Sequence, residues 1–411
     1  MKEAPQNRST AQSSETCSIA LKNLKRMRSR EQNNSLDNRS GKIFSYFKML
    51  DQTNASIVKA IGGLGARNIA LLARRTHLPV TTVRFRLEKM KKEGQVLVAA
   101  NPNLPKLGLA KAFMVADAYL GRQNQLFETI RNTLYWTYII RCYGKHDGFC
   151  SYFAFPATYM KELEKYMQEA ERLHAFSNST FFWCTNARVV PPDFSLYDFK
   201  DRKWKFDWQH WTRNVLAAPY ELPEPIKEPA DYAITVDKKD LLIIKELQKD
   251  ETIGFNKLAE IVGISPQSVG SRYQYHILKR KLIVDYAVDV YPYPLEISDL
   301  YLFEIDFADE CCLGKFANAC EGKPFVVSYS KIIRKNAILV NIYIVKTEFP
   351  NFIKVLNRLF VEGLITDFFY VTLDQSAYNR QTISYEYFEN GRWLYNHSER
   401  VERLQKICEA K

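Results

Sequence analysis

Between Leu71 and Val98 the apolar positions follow helical spacing. Val83, Leu87 and Met90 fall at i, i+4 and i+7, which predicts a helix over Val80–Lys92 with one narrow buried seam. Thr81, Thr82, Arg84, Arg86 and Lys89 lie off that seam, and Lys91 and Lys92 carry charge to its end. A second helix is expected over Asn68–Arg75, separated from the first by a tight break at His77-Leu78-Pro79. Ile57, Val58 and Ile61 mark an opening helix, which Gly62, Gly63 and Gly65 stop. From Gln95 the pattern turns to β, the place where a winged helix-turn-helix puts its wing.

An alternation of strand and helix follows. Strands are expected at 111–120, 136–144, 149–156 and 179–188, with helices at 125–133 and 158–176. The order β-α-β-β-α-β is that of a ferredoxin-like unit, two helices on one face of an antiparallel sheet. From Pro191 an arm dense in aromatics turns at Lys200-Asp-Arg, and the proline-rich PYELPEPIKEPAD reads as a stiff linker.

The chain then starts again. Ile243-Ile244-Lys245 matches Ile57-Val58-Lys59, Leu258-Ala259 matches Leu72-Ala73, and Arg272 matches Arg86, all at an offset of about 186. Strands at 299–307, 325–333, 338–346 and 366–373, with helices at 312–320 and 349–364, repeat the alternation. Trp393 in YFENGRWLY answers Trp204 in DFKDRKWKF. This periodicity predicts an internal duplication. The expected fold is α+β: two tandem winged helix-turn-helix plus βαββαβ copies, each with a C-terminal aromatic arm. The expected boundaries are a basic tail at 1–45, winged units at 46–110 and 237–296, and ferredoxin-like units at 111–190 and 297–374. An arm and linker fill 191–236, and an arm with a closing helix 375–411.

Charge adds a direction to this plan. The net charge is +12 over 411 residues, and residues 1–110 alone hold twenty Lys/Arg against seven Asp/Glu. Such asymmetry points to a polyanion partner for the N-terminal quarter. Residues 237–296 hold nine of each sign, so the first winged unit is expected to dominate contact with phosphate. None of the eight cysteines forms a C-x-x-C pair, and most sit in apolar runs, as free thiols of a reducing compartment do. No run is long enough to span a membrane, and a cytoplasmic protein is expected.

The residues GISPQSVGSR and LKRKLIVDY resemble the helix-turn-helix signature of the leucine-responsive/asparagine-synthesis (Lrp/AsnC) regulators. Ser265 is a helix cap and Pro266 a first helical residue in this reading; the first copy departs by placing Pro79 at the cap. The family's Gly-x-x-Asp turn is similar to Gly144-Lys-His-Asp147. The resemblance implies a regulator of double-stranded DNA in which one chain mimics a dimer, with homo-oligomers an option. Arg74, Arg75, Thr81, Thr82, Arg84, Arg86, Lys89, Lys91 and Lys92 would meet DNA in the first copy. Gln267, Ser268, Ser271, Arg272 and Lys279 would do so in the second. It also implies a small-molecule effector, such as an amino acid, near Gly144 and Asp147. No catalytic residue, metal or cofactor is expected, and the chain is expected not to be an enzyme.

Two alternatives stand beside this reading. Sirohaem decarboxylases share the winged-plus-βαββαβ plan, and Arg141, Tyr143 and His146 are the candidates of suitable type. The other is an interaction protein whose arms, carrying Trp204, Trp208, Trp211 and Trp393, grip the other repeat or a partner.

Overall fold

The computed structural model describes residues 50–93, 96–191, 193–290, 293–294 and 296–409; the basic tail lies outside them. Asp51 accepts a hydrogen bond from the Asn54 amide at 2.7 Å and so starts α1 (Gln52–Leu64). Asn68 caps α2 (Ile69–Thr76) in the same way, and α3 (Val80–Lys92) follows from Pro79. Strand β1 (Leu97–Pro102) leads into β2 (Leu109–Asp117), α4 (Gln123–Arg131), β3 (Trp136–Gly144), β4 (Gly148–Pro156), α5 (Met160–Arg172) and β5 (Asn178–Cys184). A short β6 (Arg188–Val189), the hairpin β7 (Tyr197–Asp198) and β8 (Lys203–Trp204), and α6 (Trp208–Ala217) make the first arm.

The second half opens with α7 (Lys238–Lys249), capped by Asp237, then α8 (Phe255–Val262) and α9 (Pro266–Ser271). Helix α9 widens into a π-helical segment, Arg272–Leu278. Strand β9 (Ile283–Asp289) is followed by β10 (Ser298–Phe307), α10 (Glu310–Cys320), β11 (Val326–Lys331), β12 (Ala337–Val345), α11 (Phe349–Val361) and β13 (Ile365–Arg380). The hairpin β14 (Phe388–Glu389) and β15 (Arg392–Trp393) precedes α12 (His397–Glu409).

Nine strands form one sheet in the order β5-β2-β4-β3-β13-β10-β12-β11-β6. Within it each half keeps its own antiparallel four strands, and they meet where β13 pairs with β3, Leu373 opposite Cys142 and Tyr378 opposite Ile140. The far edges also meet. Cys184 at the end of β5 bridges Ile332, the Thr185 amide donates to the Lys331 carbonyl at 2.9 Å, and β6 pairs with β11. The two edges of the sheet therefore touch at one end, through the Cys184–Ile332 bridge and the β6–β11 pair. Phe113, Ile140, Cys142, Cys150, Cys184, Leu302, Leu339 and Val371 fill its inner side. The buried cysteines are free thiols, and burial pushes Cys184 up to about 12.

The segment read as a wing takes a different role. Instead of folding into a hairpin of its own unit, β1 pairs antiparallel with β9, Val98 opposite Val288 and Ala99 opposite Ala287. Pairing across the halves gives one edge of each strand its backbone partners. The arms cross over as well. Trp211 of α6 packs on Phe316, Phe325 and Phe352 of the second half, and its indole donates to the Ala319 carbonyl at 3.0 Å. Trp393 packs on Tyr135 and donates to the Leu107 carbonyl at 2.7 Å, both in the first half. Residues Asp51–Lys411 form one compact unit as a result.

Candidate nucleic-acid interface

Val83, Leu87 and Met90 are buried, so the seam of α3 is its contact with α1 and α2. That packing turns the opposite side outward. Arg74, Arg75, Thr81, Arg84, Lys89 and Lys92 are exposed, and Thr82 is half-buried. The five cations among them have no ion-pair partner among the described residues. Phe85 stands in the same face at 65% exposure. It lies off the i, i+4, i+7 seam, a position the spacing alone marks as outward-facing, yet it is absent from the sequence-derived set.

Arg86 and Lys91 are placed elsewhere. Arg86 is half-buried and bonds Asp51, the cap of α1. Lys91 donates to both carboxylate oxygens of Asp250 at 2.9 and 3.0 Å and to the Thr252 hydroxyl. A guanidinium or ammonium already paired gains little by leaving for a phosphate, so both act within the fold.

In the second unit Ser265 caps α9 by accepting from the Ser268 amide at 3.1 Å. Gln267, Ser268, Ser271 and Lys279 are exposed. Arg272 instead bonds Asp237 at 2.8 Å and Asp240 at 2.7 Å. Burial pulls its guanidinium down, but these two carboxylates outweigh that and hold it above its ordinary value. Among the residues expected to meet DNA, this unit therefore exposes hydroxyls and an amide with a single lysine, against five cations in the first.

The two units are tied to each other near the ribbon. Glu251 accepts from the Ala66 amide at 2.8 Å, and Arg67 stacks over Phe255 and Tyr273, each centroid 4.9 Å away. Burial pushes the Glu251 carboxyl above its ordinary range.

Gly144 and Asp147 form the β3–β4 turn. Gly144 has φ 117° beside β13, a conformation that favours glycine. The Asp147 amide donates to Asp117 at 2.8 Å, and its carboxylate is taken by Arg141. Arg141 also donates to the Gly148 carbonyl at 2.9 Å, while His146 is buried with Nδ1 3.1 Å from Asp117. Tyr143 is the exposed member of the trio. The residue types suited to a tetrapyrrole thus come together here, but Arg141 and His146 are occupied in holding the turn. No group of His, Cys, Asp and Glu among the described residues is arranged to hold a metal. No helix among them is long and apolar enough to cross a membrane.

No curated protein sequence matches the chain. Its fold is similar to that of the sirohaem decarboxylase NirDL, with a TM-score of 0.51 and 10% identity over 87% of this chain and 99% of that one. The same enzyme in co-complex with an iron-uroporphyrin III analogue gives a TM-score of 0.50 and 11% identity, covering 89% and 98%. The transcriptional regulator NMB0573 of Neisseria meningitidis, in complex with L-Met, covers only 36% of this chain though 96% of its own, at 18% identity and a TM-score of 0.31. The expectation that the chain is not an enzyme is thereby corrected, because an enzyme has this fold over nearly the whole length. The AsnC-type helix-turn-helix domain family matches residues 236–274. The second half of the chain thus carries an AsnC-type helix-turn-helix domain.

Proposed function

We propose that the chain is a DNA-binding transcriptional regulator of Lrp/AsnC type, a fused pseudo-dimer in which the first helix-turn-helix dominates contact with DNA. The observation that carries this reading is the unpaired cationic face of Arg74, Arg75, Arg84, Lys89 and Lys92 on α2 and α3. Exposed cations on a helix with a buried seam suit a groove reader, with phosphates neutralised at its margins. Thr81 and Arg84 would reach base edges, and Phe85 offers apolar contact to a thymine methyl. The repeat at an offset of 186, the exchanged arms and the β1–β9 ribbon support a duplication that keeps both recognition elements in one chain. Fluorescence anisotropy with random and selected duplexes at several salt concentrations tests the reading. Specific binding with a steep salt slope is expected, and salt-independent or absent binding would overturn it.

The whole-chain likeness to NirDL favours a second reading, a sirohaem-decarboxylase-like enzyme. Iron-uroporphyrin titrated into the full chain should then shift its Soret band and saturate. With Arg141 and His146 engaged in the turn, other residues would have to hold the tetrapyrrole. An amino-acid effector at Gly144 and Asp147 belongs to the first reading, and a thermal-shift series over the amino acids tests it.

A further inference from the structure

Away from both helix-turn-helix units, α4 and α12 flank an open cleft of about 350 Å³. Glu128 and Arg131 line it from α4, with Asn132 and Leu134 from the turn that follows. From α12 come Arg400, Arg403, Lys406 and Ile407, which share one helical face. The volume lies in the range of small-ligand sites. Four cations against the single Glu128 give the lining a net positive charge. Arg131 bonds Glu128 at 2.9 Å, and Glu399 takes both Arg403, at 2.9 Å, and Arg400. Counting Glu399, two positive charges are left over. Lys406 has no ion-pair partner among the described residues.

Arg400 is the informative residue. Its side chain is 5% exposed, and its Nε is buried with no hydrogen-bond partner. A buried N–H left unpaired costs on the order of a lost hydrogen bond, and Nε is one of ten such side-chain atoms among the described residues. The backbone around it is fixed, since Asn132 donates to the Arg400 carbonyl at 2.8 Å and to the Tyr166 hydroxyl at 3.0 Å. A docking contact for α12 alone would need an apolar seam, which Leu404 supplies from the core. It would not need a buried guanidinium on the same lining as three more cations.

We infer that this cleft is a binding site for a small dianion, a phosphoryl or dicarboxylate metabolite, held by Arg400 with Arg131, Arg403 and Lys406. Planar guanidinium groups suit both anions because each accepts paired N–H donors. The ligand would join α12, which arrives from the end of the chain, to the helix layer of the first half.

The test uses the full chain, with pyrophosphate and succinate as probes against chloride at matched ionic strength. Saturable binding by calorimetry is expected, with a rise in Tm of roughly 3 °C at 100-fold excess over Kd. Pyrophosphate binding alone would assign the phosphoryl class, and succinate binding alone the dicarboxylate class. Arg131→Ala/Lys406→Ala, which removes two exposed cations and leaves the buried Arg400 in place, is expected to weaken binding at least tenfold. Its unliganded Tm and its affinity for duplex DNA should be unchanged. Binding no stronger than the chloride control, equal binding by the double variant, or displacement of the probe by duplex DNA would each overturn the assignment. DNA affinity is read separately, so failure here leaves the regulator reading standing, and the reverse also holds.

Discussion

The two helix-turn-helix units are built on one plan and stabilised in different ways. In the second, Arg272 bridges two carboxylates, Asp237 and the buried Asp240, and His276 Nδ1 lies 3.2 Å from the latter. In the first, the same positions hold Asp51 and the neutral Asn54, so Arg86 faces one carboxylate. The second unit has its capping serine, and the first has Pro79 with no side-chain cap. What the first lacks in local order it carries as surface charge. The unit that the family model matches is thus the one whose expected contact residues carry fewer unpaired cations.

The largest expected effects bear on the two arginines. Arg272→Ala strands a buried carboxylate, which costs about 3 kcal/mol. Arg86→Ala breaks a pair that is more than a third exposed, and should cost about 1 kcal/mol or less. Urea unfolding of both variants measures the gap. Equal losses would mean that the extra carboxylate adds nothing to the second unit.

Next is DNA. Charge reversal at Arg84 and Lys89 should weaken duplex binding about 100-fold, or roughly 2.7 kcal/mol. The salt slope should fall by about 0.9 for every phosphate the variant no longer neutralises. Gln267→Ala with Ser271→Ala should change affinity less than tenfold. If the second pair proves the more damaging, the assignment of the dominant unit is inverted.

This contrast also shows what the residues reveal unaided. The seam of α3 and the βαββαβ order are written in apolar spacing, because burial acts on each element separately. Arg86, Lys91 and Arg272 could not be distinguished from Arg84 or Lys89 in that way. Their partners lie 35, 159 and 35 residues away, and a charge becomes structural only when the fold delivers its counter-charge. The wing reading failed for the same reason, since a lone strand does not name the edge it will join. The Arg400 cleft was invisible because its two walls are far apart in sequence, Asn132 and Arg400 by 268 residues.

The joint between the units supplies a pH test. Burial raises the Glu251 carboxyl above its unfolded value, so the folded state holds its proton more tightly than the unfolded chain does. Its contribution to stability is complete below the unfolded value and is lost as pH rises through the folded one. Relative to wild type, Glu251→Gln should gain stability as pH climbs from about 4.5, while still accepting from the Ala66 amide. A difference between the two proteins that stays flat from pH 4 to 8 would place the titration elsewhere.

The smallest expected effect concerns the turn before each recognition helix. His77 and Gly263 occupy equivalent places and both are left-handed, with φ of 56° and 70°. For a residue with a Cβ that region costs about 1 kcal/mol or more, whereas glycine loses about 0.5–1 kcal/mol through the freer unfolded chain. His77 is exposed and its imidazole has no hydrogen-bond partner among the described residues, so His77→Gly should stabilise by about 0.5 kcal/mol net. Gly263→His should cost a similar amount, because its site offers open space and only the backbone objects. Denaturation midpoints of the two variants, measured together, decide the matter. If His77→Gly destabilises, the imidazole is holding the turn by a contact of its own, and the first unit is less a relaxed version of the second than a differently supported one.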